Sequence, residues 1–297
     1  VHVLTKKSFA PIVESNPHVA KVFTLTKYIG QVIEELKSEN YDEIIDLHHN
    51  LRSQRIKLAL GIPASSFSKL NIHKWMLVKF GINRLPPIHI VDRYLATVAH
   101  LGVKRDGQGL DFFLPPGKQV DVEKIFGFKP FSYTSIVIGA AHQTKCMTVE
   151  QIQHLCDELN MPVILMGGKE EIEKANLILS GSSNKQVKSA VGQFDILQSA
   201  SIIEQSGPII THDTGMMHIA AAFRKPQVVV WGNTIPGFGM YPYYGDENIK
   251  WVSFEQTELK CRPCSKLGYD KCPKGHFKCM LQHDVAAIAS AAKSMTY

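Results

Sequence analysis

The stretch Ile209-Ile210-Thr211-His212-Asp213-Thr214-Gly215-Met216-Met217-His218, running on into Ala220-Ala221-Ala222, decides how this chain is read. An apolar run, a tight polar turn and an alanine-rich continuation predict a buried strand, a turn and the start of a helix. The first N–H groups of such a helix lack intrahelical partners and lie in a field that favours negative charge. Asp213 and Thr214 suit a helix N-terminus, and Gly215 lets a ligand approach the main chain. His218 follows Thr214 by one turn, so both share a face and can meet one anion. The segment reads as a phosphate seat; alone, it would read as an ordinary capped helix with a core histidine.

Three further runs end in loops suited to the same task. Ser135-Ile136-Val137-Ile138 leads into Gly139-Ala140-Ala141, with Lys145 close behind. Pro162-Val163-Ile164-Leu165-Met166 leads into Gly167-Gly168-Lys169-Glu170-Glu171, and Gln227-Val228-Val229-Val230-Trp231 into Gly232-Asn233-Thr234. Apolar runs without alternation are typical of parallel strands covered on both faces, and helical segments separate them here. In such doubly wound sheets the ligand sits outside the carboxyl ends of the strands. Lys145 would offer a point charge to a diphosphate, and an acidic residue of the second loop would hold ribose hydroxyls. Turn chemistry alone is the other reading of each loop glycine.

A length of 297 residues favours two domains. With 44% hydrophobic and 20% charged residues, the composition is that of a globular protein rather than a disordered one. No apolar run approaches the ~20 residues that cross a bilayer. The net charge of +6 suits acidic substrates or an anionic membrane surface. The lysines read as scattered and no arginine-rich tract is present, so nucleic acid is not an expected partner. The chain opens on Val1-His2-Val3-Leu4-Thr5, already strand-like and without an initiating methionine, and reads as truncated at the front.

Alternating strands and helices continue through the first half. Strands are expected at residues 1–5, 21–25 and 43–47, with helices at 9–14, 28–38 and 91–101, and Phe126 to Phe131 reads as the crossover between halves. Thr148-Val149-Glu150-Gln151 is a capping-box signal for a helix reaching Leu159. The expected architecture is α/β, with two such domains facing each other.

These residues resemble glycosyltransferase family 9, the ADP-heptose:lipopolysaccharide heptosyltransferases. The resemblance is carried by 213–222 with Lys225-Pro226 and Gly232-Asn233-Thr234. In the first half, Tyr41-Asp42-Glu43-Ile44-Ile45-Asp46-Leu47 and Asn50-Leu51-Arg52-Ser53 carry it too. It implies a GT-B fold: two Rossmann-like domains facing a central cleft, an acceptor-side domain at 1–128 lacking its first βα unit, and a nucleotide-sugar domain at 129–283. A final helix in 284–297 would pack back on the first domain. Lys145 and His218 would contact the donor diphosphate, as would the backbone at Thr214-Gly215, with Met216 in the same donor-binding set. Asp213 would lie beside the sugar and Glu171 would bind ribose.

The implied activity is inverting transfer of a heptose, from ADP-heptose or a related donor, to a lipopolysaccharide inner-core acceptor. No cofactor is expected. The location would be cytoplasmic, with peripheral contact at the inner face of the inner membrane. A degenerate nucleotide-sugar-binding protein and a GT-B sugar-nucleotide epimerase stay open as alternatives. Departures occur at Cys146-Met147-Thr148, where the family usually has arginine, tryptophan and proline, and at His212 and Ile235. The family's presumed base, an aspartate in a Gly-Asp loop of its first strand, matches no residue here, so the catalytic base is unassigned.

On the acceptor side, Arg52, Arg55 and Lys57 follow a strand end and could meet carboxylates or phosphates by forked hydrogen bonds; a solvated charged helix face is the alternative. Cys261, Cys264, Cys272 and Cys279 crowd a loop-rich stretch within 261–279. They could hold a structural zinc, pair as disulfides or remain packed thiols. Cys146 and Cys156 are isolated and expected to be buried.

Overall fold

The computed structural model describes residues 1–25 and 28–296; Tyr297, the last residue of the expected terminal segment, lies outside them. The chain divides into two compact units, residues 1–71 with 86–107, and residues 72–85 with 108–297.

In the first unit β1 (His2–Lys6) and β2 (Lys21–Leu25) pair in parallel, joined through α1 (Ala10–Glu14). After α2 (Ile29–Lys37), β3 (Ile44–Asp46) leads through α3 (Leu51–Leu60) to β4 (Ala64–Ser66), its parallel partner. Phe23, Val32, Leu36 and Ile56 form a small core between these elements. Asn50 starts α3 with a reciprocal capping box to Ser53, and Gly61 ends it in the left-handed conformation that an L side chain resists. α4 (Asn71–Phe80), grouped mostly with the second unit, and α5 (Ile90–Leu95) complete this half.

The second unit opens with α6 (Val122–Phe126) and then alternates: β5 (Thr134–Val137), α7 (Val149–Leu159), β6 (Val163–Met166), α8 (Ile172–Gly181), β7 (Val187–Ser189), α9 (Ile196–Glu204), β8 (Ile209–Thr211), α10 (Gly215–Ala222), β9 (Gln227–Val230) and β10 (Trp251–Phe254). The short α11 (Lys278–Leu281) and α12 (Val285–Lys293) follow. All six strands are parallel, in the order β10-β9-β8-β5-β6-β7, which is the doubly wound dinucleotide-fold order. The apolar runs serve two faces at once. Ile136, Val163 and Leu165 point into a core with Leu155, Ile178 and Ile288, whereas Val137, Ile164 and Met166 point into another with Ile202, Ile203 and Ala220. A strand buried on both sides has no place for a polar partner at every second position, so the sequence does not alternate. The capping box at Thr148 and Gln151 forms as expected, and α7 ends at Leu159.

Residues 108–128, expected at the end of the first domain, pack with the second unit. Val120, Val122 and Phe126 lie in its core, Phe112 packs on Phe223, and the Gln205 amide donates to the Val120 carbonyl at 2.8 Å. Ile288, Ala289 and Ala292 of α12 are buried in the second unit's own core, against α7 and β9. The edge strands β4, β7 and β10 were not anticipated; they are three or four residues long and partly exposed, so they carry no apolar run.

Among the described residues no helix is long and apolar enough to cross a membrane.

Asp46, at the end of β3, accepts from the backbone N–H groups of His48 and His49 and pairs with Lys57 at 3.0 Å. Burial works to raise its pKa, but the His49 N–H, the Ser53 hydroxyl, Lys57 and the His48 N–H outweigh it and hold the carboxyl at about 2. A folded-state value below the unfolded one stabilises at neutral pH by about 2 kcal/mol, an effect lost as pH falls from roughly 4 to 2. Asp46→Asn should therefore lower stability by about that amount at pH 7, with the difference shrinking toward pH 2, as read by urea unfolding across pH.

Candidate functional site

In the second unit the chain runs outward from β5 to β6 and β7, then returns to β8 on the other side of β5. Loops leaving β5 and β8 thus diverge, and a crevice opens at the carboxyl ends of these two strands. The loop after β5 holds a short 3-10 turn, Gln143–Lys145, and the loop after β8 enters α10. Across the crevice Lys145 Nζ lies 2.7 Å from Asp213 Oδ2 and 3.4 Å from the Asp213 carbonyl. Both side chains are largely buried, 12% and 14% exposed. The Thr234 hydroxyl, from the loop after β9, donates to the same Asp213 oxygen at 2.9 Å. Three loops therefore converge on one carboxylate.

Thr214 is the residue that caps α10, yet its side chain makes no capping bond; its hydroxyl lies 3.4 Å from that of Thr211. The expected side-chain cap is thus corrected: the N–H groups of the first turn are not taken by Thr214. Space lies open beside Gly215, where an added Cβ would meet nothing within 4 Å. Met216 is half-buried against the core, so what it offers the helix start is its main chain. His218, one turn on, feels both Asp213 and Lys145. Burial holds its pKa below the ordinary value, Asp213 opposing and Lys145 assisting. His212, fully buried, accepts from the Met147 N–H at 3.0 Å, and burial followed by Lys174 and His283 pushes its pKa down to about 3. Its neutral ring ties the β8 loop to the β5 loop.

Glu171 lies over the loop after β5. Its Oε2 accepts from the Gly168 N–H at 2.8 Å, and a Cβ added to Gly139 would stand 2.5 Å from its Cδ. A side chain at 139 would displace the Glu171 carboxylate from this position. The expected donor-side residues Lys145, Glu171, Asp213, Thr214, Gly215, Met216 and His218 all stand at or just beyond the carboxyl ends of β5, β6 and β8. Thr234 was expected only as part of a strand-end loop, with no role of its own, and Lys174 was not foreseen. Lys174, half-buried in α8, donates to the Ile138 carbonyl at 2.9 Å and the Met147 carbonyl at 2.6 Å, holding both ends of the β5 loop. A lone lysine in a helix carries no sequence signal for such a role.

The acceptor-side expectation divides. Arg52 and Arg55 are exposed on α3. Lys57 is instead paired with Asp46 and, at 2.9 Å, donates to the Ser66 hydroxyl. The reading of scattered lysines is also corrected. Residues 47–91 contain seven Lys or Arg and no Asp or Glu, so this stretch holds more positive charge than the whole chain's net +6.

All six cysteines are free thiols in the structure, and Cys146 and Cys156 are buried as expected. Cys261, Cys264, Cys272 and Cys279 are neighbours. Burial, then the thiols of Cys264 and Cys272, push Cys279 up to about 11. Cys261 Sγ lies 3.7 Å from His276 Nε2. Among the described residues no group of three His, Cys, Asp or Glu is arranged to hold a metal ion.

Residues 29–269 match the family model described as glycosyltransferase family 9 (heptosyltransferase). Lipopolysaccharide heptosyltransferase 2 of Escherichia coli strain K12 is 27% identical over 221 residues, which cover 68% of this chain and 63% of that relative. Thus the chain spans less than two thirds of that relative's length. Lipooligosaccharide heptosyltransferase 2 of Campylobacter jejuni is 24% identical over 277 residues, 90% of this chain and 82% of the relative. The solved structure of E. coli ADP-heptose lipopolysaccharide heptosyltransferase II superposes with a TM-score of 0.73 at 17% identity, covering 99% of this chain and 88% of that one. That likeness, together with the parallel sheet, shows the GT-B fold class. The chain belongs to glycosyltransferase family 9, the heptosyltransferases.

Proposed function

We propose that this protein transfers a heptose from a nucleotide-sugar donor, ADP-heptose, to an inner-core sugar of lipopolysaccharide, with inversion at the transferred carbon. The observation that carries this reading is the Lys145–Asp213 pair set across the β5/β8 crevice at the start of α10. A cation held by a carboxylate at a helix N-terminus is prepared for a competing anion. A diphosphate entering there meets the first N–H groups of α10, the helix field and Lys145 together. Bond breaking at the sugar leaves charge on the departing phosphate, and the same donors stabilise that charge as it grows. His218, neutral by burial, adds a hydrogen-bond donor without the cost of burying another charge. Glu171 is placed for ribose hydroxyls, and Asp213, once Lys145 turns to phosphate, for the sugar.

The acceptor would be recognised on the first unit. Exposed Arg52 and Arg55 belong to the acid-free stretch 47–91, which suits phosphates or carboxylates of the inner core and the anionic membrane face that carries it. The protein would then work in the cytoplasm, peripherally at that membrane.

Calorimetry with ADP tests the donor reading. Lys145→Ala should weaken binding ten- to a hundredfold, since a charge-assisted bond is worth about 1.5–3 kcal/mol, and His218→Ala by roughly tenfold. Absence of ADP binding by the unaltered protein would overturn the assignment. On the acceptor side, Arg52→Ala combined with Arg55→Ala should raise the acceptor KM about tenfold while ADP affinity stays unchanged. A shift in both constants would place these arginines elsewhere in the reaction.

A further inference from the structure

The cysteine-rich segment 261–279 contributes no side chain to the Lys145–Asp213–Thr234 cluster, yet it is bonded to two of the loops that form it. Arg262, only 3% exposed, donates from Nε to the Gly232 carbonyl and from Nη2 to the Thr234 carbonyl, each at 2.8 Å. Its Nη1 pairs with Glu255 Oε2 at 2.9 Å, which keeps the buried charge compensated. Thr234, held in this way, places its hydroxyl on Asp213 Oδ2, the oxygen that also receives Lys145.

Farther along the segment, Tyr269 exchanges main-chain bonds with the residue before Lys145. The Tyr269 N–H donates to the Thr144 hydroxyl oxygen at 2.8 Å, and the Thr144 N–H to the Tyr269 carbonyl at 3.0 Å. The two gripped loops also touch each other. The Asn233 N–H donates to the Thr144 carbonyl at 3.3 Å, and a Cβ on Gly232 would stand 2.2 Å from that carbonyl oxygen. Of these contacts the guanidinium is the one that reaches furthest into the site, because it holds two carbonyls of one loop in fixed relation. The planar fork does this from two separate nitrogens while its third stays on Glu255; a lysine ammonium, with all its donors on one atom, cannot reproduce the spacing of those three acceptors.

We propose that Arg262 is a positioning residue of the donor site, acting through Thr234 to set where the Asp213 carboxylate and its partner Lys145 stand. It touches no ligand itself. Small displacements of groups that align a phosphate cost large factors in binding and rate, so the fork's two carbonyl bonds control donor affinity from a distance. The cysteine segment is thereby the frame that carries Arg262 and Tyr269 to the two loops.

The inference rests on the donor reading, and one set of titrations separates the two. ADP affinity is measured for the full chain, for Arg262→Lys, for Thr234→Val and for the double variant, with thermal midpoints recorded alongside. Arg262→Lys keeps the charge opposite Glu255 and should weaken ADP about tenfold. Thr234→Val should weaken it similarly, and the double variant should be no weaker than the weaker single one, because both break one path. In a transfer assay the donor KM should rise while the acceptor KM stays fixed. If the unaltered protein binds no ADP, the donor reading fails. If it binds ADP and Arg262→Lys binds equally well, whatever its thermal midpoint, or if the two losses multiply, the positioning role fails.

Discussion

The ion pair between Lys145 and Asp213 joins the loops that leave β5 and β8. These residues are far apart in sequence and meet because β5 and β8 are neighbours in the sheet, so their loops leave adjacent strand ends in opposite directions. Removing two charges from water is costly, and their attraction offsets that cost only when geometry and further hydrogen bonds are good. Here the carboxylate also receives Thr234, and the lysine reaches the Asp213 carbonyl as well. Such a pair keeps a cation ordered and partly dry at the mouth of a helix. A bound anion would replace the carboxylate rather than recruit a lysine from solvent.

Around this pair the protein is arranged so that the loops, not the strands, hold the polar chemistry. The sheet's two faces are closed by apolar side chains, and every hydrogen-bonding group with a role in the site lies beyond a strand's carboxyl end. Polar side chains brace those loops. His212 accepts from Met147, Lys174 holds the carbonyls of Ile138 and Met147, and Arg262 holds those of Gly232 and Thr234. Each brace satisfies main-chain groups that an irregular segment would otherwise leave unpaired away from water. Rigidity at the site and satisfaction of the buried backbone are thus the same set of contacts.

The first unit has a different character. Its core is small, its strands pair two by two, and its residues 47–71 carry four Lys or Arg and no Asp or Glu. Within it Asp46 and Lys57 form a buried pair that anchors the start of α3, leaving Arg52 and Arg55 on the exposed side of the same helix. Two cations five residues apart thus have opposite fates, and the difference is set by which side of the helix faces the β3 carboxyl end.

The amino-acid sequence by itself determined the doubly wound half. The runs at 135–138, 162–166, 209–211 and 227–231 allow no water-facing side, so they had to be central parallel strands with helices on both faces. Glycine and polar residues at their ends then marked where a ligand would sit. The positions of Lys145, Glu171, Asp213 and His218 beyond the carboxyl ends of the strands were legible on that ground, because strand-end loops in this fold share one edge of the sheet. Tertiary structure alone decided the rest. Lys57 pairs with Asp46 while Arg52 and Arg55 stay exposed, and α7 and β9 take the apolar face of α12, contacts that only the folded chain creates. Lys174 and Arg262 act through main-chain carbonyls brought near by folding. A bond to a carbonyl leaves no mark on the identity of the residue that carries it, so no local pattern could have announced these two.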